Sequence, residues 1–412
     1  MAVALALIGA KKARAAEYAP VLNATVMGGQ YFFENNNANV SANASVNAAE
    51  AIKFDDRWTL VPLYSGSYQG TKGVNDQVAA GTLFQQAVDN RVSVTGIYSV
   101  EGSNWKLKPQ ASYKYEFLKE TRDETWAHGL FDYEKIGAGF EAENVYNDPF
   151  SYKIGLDFFR IRFPNFQSLE SQAPVDPLGN TLARSNANQS ILDSYNYALS
   201  LSGSRPFPYN DPVVSLSAGY SVTWQEYIDQ SIVDSKGQLT DHRPYGRRDF
   251  LQTFNTSVGY PHPLRLFGVD TRLDSSLNFN AAYNGSNQNF FDAAATQFFY
   301  DAYSYYSWGW GPAFGLTWGD KKHPTTAGVS FNYINTQYVG RQAENGDGIY
   351  IGDNQWQDRY QLTMKYSMPI SPGFSLKAQT DFLWARSNNT FEKTYAYNYR
   401  TANYMLGFSY EY

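Results

Sequence analysis

The stretch Val214-Ser-Leu-Ser-Ala-Gly-Tyr-Ser-Val-Thr-Trp224 places apolar residues at every even position and small or polar residues at every odd position. Successive side chains of a β-strand point to opposite faces, so this period of two predicts a strand with one apolar and one polar face. A tilted strand needs about 9–11 residues to cross a membrane, and this stretch is long enough. The stretch therefore predicts a membrane-spanning β-strand.

The same alternation recurs along the chain, for example in residues 40–48, 308–318 and 374–384. It predicts an all-β protein of about sixteen strands, while fourteen or eighteen strands would follow from a modest error in the hairpin count. The predicted strands span residues 22–33, 38–52, 57–68, 91–102, 104–118, 131–146, 150–162, 191–205, 212–226, 248–261, 267–284, 303–319, 325–340, 355–369, 373–387 and 393–412.

The connections between these strands alternate in length. Short ones lie at residues 53–56, 101–103, 147–149, 206–211, 261–266, 319–324 and 370–372. Longer ones lie near residues 69–90, 119–130, 163–190, 227–247, 285–302 and 341–354. Short periplasmic turns facing long extracellular loops are typical of outer-membrane barrels. Since lipid offers no partner for an open sheet edge, we expect a closed antiparallel up-and-down transmembrane β-barrel.

Composition supports a membrane interface and excludes several other classes. The chain has 33 Tyr, 27 Phe and 9 Trp among 412 residues, and Tyr and Trp favour positions that are apolar at one end and wet at the other. It contains no cysteine, which excludes disulfides and thiol chemistry. A net charge of -6 without a basic stripe argues against nucleic acid as a partner.

The first residues resemble an export segment. An apolar run over residues 1–10 precedes Lys11, Lys12 and a small-x-small sequence at residues 13–15. This order resembles a secretory signal peptide, although no basic residue precedes the apolar run. We expect residues 1–15 to be an export-signal remnant and residues 16–412 to form a single barrel domain.

The last predicted strand ends in an alternating, mostly aromatic row: Tyr404, Leu406, Phe408, Tyr410 and Tyr412. Gly407 lies on its other face. This ending resembles the assembly signal of Gram-negative outer-membrane β-barrel proteins, and the chain resembles porins without matching one porin family. The resemblance implies location in the bacterial outer membrane, contact with its lipid and insertion by the barrel-assembly machinery. A homo-oligomer is a further expectation, with its oligomeric state left open.

About sixteen strands would enclose a lumen too wide for side chains to fill, so we expect a channel for passive diffusion of ions and small polar solutes, with no enzymatic activity and no cofactor. The face opposite the apolar residues would line the lumen, where charges tune selectivity or simply pair across strands. The candidate pore-lining residues are Lys106, Lys108, Lys114, Glu116, Lys153, Asp157, Asp270, Arg272, Asp274, Lys365, Lys377 and Asp381.

Aromatic residues at the strand ends predict girdles at the two membrane interfaces. The candidate girdle residues are Trp58, Trp105, Trp308, Trp310, Trp318, Trp384, Tyr404, Phe408, Tyr410 and Tyr412. An aromatic cluster over residues 290–306 is interpreted as part of the outer girdle, with a sugar-binding slide as the alternative. The longest loop, residues 164–190, would either narrow the channel or lie outside it.

Other functions stay open as alternatives. One is an export barrel for a polysaccharide or a surface lipoprotein, and another is a structural or adhesive surface barrel. Asp241 and His242 could form a protease dyad beside another acidic loop residue, but nothing else in the sequence matches such an enzyme. The acidic segment 345–358 offers oxygen ligands without the spacing of a calcium-binding loop, so no metal site is expected.

Overall fold

The alternating segments form long β-strands in the computed structural model. It describes residues 17–34, 39–75, 82–119, 125–144, 150–166, 190–208, 213–240, 246–266, 268–292, 295–320, 322–392 and 396–412. The predicted export segment, residues 1–15, lies outside them. Within the described residues no helix is both long and apolar enough to cross a membrane.

The strands are numbered in chain order. The first nine are β1 (Glu17–Phe33), β2 (Asn39–Lys53), β3 (Trp58–Asn75), β4 (Thr82–Ser99), β5 (Trp105–Lys119), β6 (Tyr133–Asn144), β7 (Ser151–Arg162), β8 (Ser194–Pro208) and β9 (Val213–Ser231). The others are β10 (Gly246–Leu266), β11 (Val269–Ser286), β12 (Phe290–Asp292), β13 (Gln297–Phe299), β14 (Tyr305–Gly319), β15 (Pro324–Glu344), β16 (Tyr350–Ser371), β17 (Phe374–Ser387) and β18 (Tyr399–Glu411).

Sixteen of these strands close into one barrel, and the short strands β12 and β13 form a separate hairpin between β11 and β14. Each barrel strand pairs antiparallel with its neighbours along the chain, and β1 pairs with β18 to close the ring. The predicted sixteen-strand antiparallel up-and-down barrel is confirmed. Closure pairs the backbone around the whole ring, which is the condition for a sheet to lie in lipid.

The two faces of the wall differ in chemistry. On each barrel strand one set of alternate positions carries exposed apolar side chains, such as Val26 at 62% and Leu406 at 64% exposure. The other set carries small polar residues and most of the wall's charges, while outward charges such as Arg160 and Arg205 lie towards the strand ends. In a barrel, alternate positions face outward and inward. Exposed apolar area costs about 25 cal/mol per Å² in water, so a continuous outward apolar surface belongs in lipid. The chain is an outer-membrane β-barrel.

Aromatic contacts lie on the outward positions near both ends of the barrel. Near the periplasmic turns Trp58 lies 4.8 Å from Tyr98 between ring centroids, and Trp105 lies 5.1 Å from Tyr152. Near the extracellular end the Trp308 ring lies 5.3 Å from a tyrosine of β15. The residues predicted for the girdles all occupy outward positions: Trp58, Trp105, Trp308, Trp310, Trp318, Trp384, Tyr404, Phe408, Tyr410 and Tyr412.

Several strand ends differ from the prediction. The predicted loop at residues 69–90 is mostly strand, because β3 and β4 continue as a hairpin beyond the apolar belt. Outside lipid a strand does not need an apolar face, so its sequence no longer alternates between apolar and polar residues. The predicted turn at 261–266 is also wrong, since β10 runs to Leu266 and pairs with β11 through Pro261 and Pro263.

Prolines inside the wall remove pairing without shifting the register. The ladder between β2 and β3 skips Pro62, the one between β4 and β5 skips Pro109, and the one between β14 and β15 skips Pro312. On both sides of each gap the pairing resumes in the same register. Proline lacks the N–H that a ladder bond needs, so each residue costs a local gap on one side of its strand.

Candidate functional site

The inner wall over β4 to β7, here called the charged wall, carries side chains aligned in rows across the strands. The cationic row consists of Arg91, Lys114 and Lys135. Below it, towards the periplasm, lie two rows that are mostly uncharged: Ser93, Ser112, Gly137 and Phe159, then Thr95, Gln110, Gly139 and Asp157. The antiparallel register therefore builds a binding surface from residues far apart in sequence.

Acidic side chains on the extracellular side of the cationic row compensate Lys114. Its ammonium contacts the Asp89 carboxylate and lies 2.8 Å from a carboxylate oxygen of Glu116. The Tyr133 hydroxyl donates to the same Glu116 carboxylate at 2.9 Å, and the Lys114 ammonium lies 5.1 Å from the Tyr133 ring centroid. The single positive charge of Lys114 thus faces two carboxylates, which more than compensate it.

A second ionic group lies closer to the periplasm. The Lys108 ammonium lies 2.8 Å from Glu141 and 2.6 Å from Glu143. The Lys153 ammonium approaches Glu143 at 3.1 Å. Lysines and glutamates alternate across three neighbouring strands here, so this part of the wall presents both signs of charge to the lumen.

Two glycines of β6 open a notch in the charged wall. A Cβ on Gly139 would lie 2.0 Å from a carboxylate oxygen of Asp157, and one on Gly137 would lie 2.9 Å from the Cβ of Phe159. The Gln110 amide donates to the Asp157 carboxylate at 2.9 Å. The Asp157 and Phe159 side chains therefore lie against the backbone of β6, and a cavity of about 380 Å³ adjoins them, lined by the cationic row above and by Gln110 and Asp157 below.

The wall over β8 to β10 differs, because its inward side chains are mostly small and neutral. The Ser217 and Ser257 hydroxyls lie 2.7 Å apart across β9 and β10, and those of Ser221 and Thr253 lie 2.6 Å apart. A sixteen-strand barrel is wider than its inward side chains can fill, and short residues widen the lumen further. The lumen wall is therefore charged over β4 to β7 and mostly neutral over β8 to β10.

The extracellular mouth is held by a buried arginine on β10. The Arg247 guanidinium donates two hydrogen bonds to the Asp249 carboxylate, at 3.0 and 2.7 Å. It lies between the rings of Tyr227 and Tyr303, 4.4 Å from each centroid. Tyr303 belongs to the loop between β13 and β14, so this stack fastens that loop to the wall.

The two ends of the loop between β7 and β8 meet in a buried apolar cluster, formed by Phe163, Phe166, Ile191 and Leu192. Asp193 accepts a hydrogen bond from the backbone N–H of Phe163 at 2.8 Å. Burial raises the pKa of this Asp193 carboxyl, against the lowering effect of that hydrogen bond. Residues 167–189, where an inward constriction was one expectation, lie outside the described residues.

The aromatic cluster predicted as part of the outer girdle has a different place. Phe290 and Phe299 pair within the β12–β13 hairpin, with ring centroids 6.1 Å apart. Phe299 is buried against Tyr350, 4.7 Å between centroids. This part of the cluster therefore packs inside the extracellular loops, and the girdle interpretation is wrong for it. Tyr306, at the end of the cluster, does point outward from β14.

The residues predicted to line the pore all occupy inward positions of their strands, but in three separate groups. Lys106, Lys108, Lys114, Glu116, Lys153 and Asp157 belong to the charged wall. Asp270, Arg272 and Asp274 lie near the periplasmic end of β11, where Arg272 and Asp274 pair at 2.7 Å. Lys365, Lys377 and Asp381 lie on β16 and β17, where Thr363 donates to Asp381 at 2.8 Å.

The prediction missed other members of the charged wall: Asp89, Arg91, Lys135, Glu141 and Glu143. Asp89 fell in the predicted loop and Arg91 at a predicted strand end. The other three alternate with apolar residues of β6, so the period of two could have identified them.

The other candidate sites of the sequence analysis, a metal site and a protease dyad, are not formed by the described residues. In the described part of the chain no three His, Asp or Glu side chains lie close enough to hold a metal ion. In the acidic segment Asn345 accepts the N–H groups of Asp347 and Ile349, both at 3.0 Å, and so closes a turn. Asp241 and His242 lie outside the described residues.

No family model matches the chain, and no curated protein matches its sequence. Among solved structures it is similar to a bacterial polysaccharide outer membrane secretin, with 10% identity, 95% of this chain and 97% of that chain covered, and a TM-score of 0.43. It is also similar to OccD3 of Pseudomonas aeruginosa, with 9% identity, 95% and 91% covered, and a TM-score of 0.46. OpdK of Pseudomonas aeruginosa, solved with vanillate, gives 7% identity, 95% and 99% covered, and a TM-score of 0.45.

Proposed function

We propose that this barrel is an outer-membrane channel through which ions and small polar solutes diffuse passively. The observation that carries the proposal is the closed ring of sixteen strands with polar inward positions. Strand number alone makes the lumen wider than side chains fill, and the small residues of β8 to β10 keep it open. The proposed activity is not enzymatic. Insertion by the barrel-assembly machinery and homo-oligomer formation remain predictions.

Charges on one side of such a lumen can orient a dipolar solute and weight the passage of cations against anions. The charged wall combines Lys108 and Lys153 with Glu141 and Glu143 in one ionic group. The wall across the barrel, formed by β15 and β16, presents mostly neutral inward residues together with the cations Arg359 and Lys365. This asymmetry supports a weakly selective channel.

We expect the refolded protein to give stable single-channel current steps in a planar lipid bilayer. The lumen contains no apolar seal among the described residues of β8 to β10, so ions should pass without an applied ligand. Folding is checked on a gel, where a folded barrel migrates differently unless it is boiled. A correctly folded barrel without conductance would contradict the proposal and would favour an export or adhesive barrel.

The variant Lys108→Gln is expected to make the channel more selective for cations. Lys108 balances two glutamates, and its removal leaves their negative charge undercompensated in the lumen. The measurement is the reversal potential in a salt gradient. It should move by several millivolts towards the value of a pore that conducts only cations. Lys322→Gln, which removes the same charge from an exposed periplasmic turn, should leave the potential unchanged. Equal shifts in the two variants would refute a lumenal role for Lys108.

A further inference from the structure

Two cations of the charged wall, Arg91 and Lys135, form no salt bridge among the described residues, although the Asp157 carboxylate is close enough to interact with the charge of Lys135. Arg91 and Lys135 flank Lys114 in the cationic row, and both line the cavity above the glycine notch. Asp89 and Glu116 both contact the Lys114 ammonium, and neither of them lines the cavity. Among the described residues that line the cavity, Arg91, Lys114 and Lys135 are cations and Asp157 is the one anion, so the lining has a positive balance although the chain as a whole is negative.

The environment of each cation fits a ligand rather than a structural role. The Lys135 ammonium lies 3.6 Å from the centroid of the Phe159 ring, which holds it in place without neutralising its charge. Arg91 is exposed to the lumen and is paired in register with Ser65 of β3 and Lys114 of β5, neither of which offers it an anion. A guanidinium in this setting is suited to bind a carboxylate through two parallel hydrogen bonds.

The lower part of the cavity offers neutral and accepting groups. The Ser112 hydroxyl and the carboxylate of Asp157 line it, and Asp157 receives one hydrogen bond from Gln110. Such groups match the hydroxyls of a solute. The volume of about 380 Å³ lies at the small end of the range for ligand pockets, which is roughly 300–1,000 Å³.

We propose that this cavity is a binding site for small polyhydroxylated organic anions on their way through the channel. Arg91 and Lys135 bind the carboxylate, and Ser112 and Asp157 bind hydroxyls at the notch. Gly137 and Gly139 allow Phe159 and Asp157 to lie against β6, because a Cβ at either position would meet one of those side chains, and so they shape the floor of the site. The inference rests on the proposed channel function and assigns it a class of solute.

The test compares D-gluconate with sorbitol, which has the same carbon skeleton and no charge. Binding of each compound to the folded, detergent-solubilised barrel is measured by calorimetry, and its interruption of single-channel current is recorded in a bilayer. We expect gluconate to bind and to interrupt the current at millimolar concentration, and sorbitol to do neither. Arg91→Gln and Lys135→Gln should each weaken gluconate binding by about tenfold, the order expected for one charge-assisted hydrogen-bonding group.

Lys365→Gln is the matched control, because it removes a lumenal cation from the opposite wall. It should leave gluconate binding within twofold of the unaltered protein. The inference is overturned if gluconate binds no better than sorbitol, or if all three variants weaken it equally, which would indicate a diffuse field. A folded barrel that binds gluconate but does not conduct would contradict the proposed channel function, while the binding site itself would be supported.

Discussion

Replacing Gly29 or Gly407 with alanine is expected to prevent the barrel from closing. Both glycines occupy inward positions of the seam between β1 and β18, where Gly29 pairs with Met405 and Gly407 with Met27. A Cβ on Gly29 would lie 1.8 Å from the carbonyl oxygen of Tyr404, and one on Gly407 would lie 1.9 Å from a carbonyl oxygen of β1. The obstacle is backbone, so no side-chain rotation can relieve it.

Overpacking of a core typically costs about 1–3 kcal/mol, but here the only relief is to separate the two strands. Separated strands expose unpaired N–H and C=O groups to lipid, where each costs several kcal/mol. We therefore expect the folded, heat-modifiable form to fall at least tenfold in either variant. The measurement is the folded fraction on an unboiled gel after refolding into detergent or vesicles.

Gly28 supplies the matched control for this experiment. It precedes Gly29 on the same strand but points outward, and a Cβ there would meet no atom within 4 Å. Gly28→Ala should refold like the unaltered protein. If Gly29→Ala and Gly28→Ala refolded to the same yield, the glycines of the seam would not be required for closure.

Replacing Arg247 with methionine is expected to release the extracellular loop that contains Tyr303. The change leaves the Asp249 carboxylate buried without its cation, a situation that costs about 3–5 kcal/mol when a buried pair is broken. It also removes the group that Tyr227 and Tyr303 enclose. Hydrogen exchange of residues 299–304 should rise by at least tenfold, while the strands of the barrel stay protected.

The chain contains a second arginine–aspartate pair with the same two-residue spacing. Arg272 and Asp274 on β11 lie 2.7 Å apart, but the Arg272 side chain is 64% exposed, whereas that of Arg247 is 4% exposed. An exposed pair contributes about 0–1 kcal/mol, so Arg272→Met should change neither exchange nor stability measurably. Equal protection of residues 299–304 in both variants would show that the Arg247 stack does not hold the loop.

The sequence allowed the number, direction and faces of the strands to be predicted, because lipid requires an apolar outward row over the whole membrane depth. It predicted the strand ends poorly, since that requirement stops at the interface. The sequence therefore predicts a loop where β3 and β4 form the end of a hairpin. It also predicts a turn at Pro261 and Pro263, although both residues belong to β10 and pair with β11. An alternating pattern in the sequence also does not distinguish aromatic residues at a membrane interface from aromatic residues packed inside a loop. Phe299, which is buried among the extracellular loops, is an example.

The candidate site was only partly predictable for a related reason. Inward positions follow from the alternation of each strand by itself, and the candidate lumen residues occupy them. Which charges balance each other depends on the register between strands. Lys114 contacts Asp89 of the neighbouring strand and Glu116 of its own strand. The sequence of a single strand does not show that Arg91 and Lys135, on the strands at either side, form no salt bridge. The role of Gly137 and Gly139 likewise could not be predicted, because it depends on the side chains of β7 that lie against them.

The pairing pattern also sets the order in which the molecule can fold. Every barrel ladder except one joins strands that are neighbours along the chain, so these hairpins can form soon after their two strands are present. The exception joins Asn23 to Glu411, across nearly the whole chain. Since closing so long a loop costs the most chain entropy, we expect it to be the last and slowest step. Until the final strand arrives, the nascent sheet has two free edges, and protection from aggregation must then come from outside the chain.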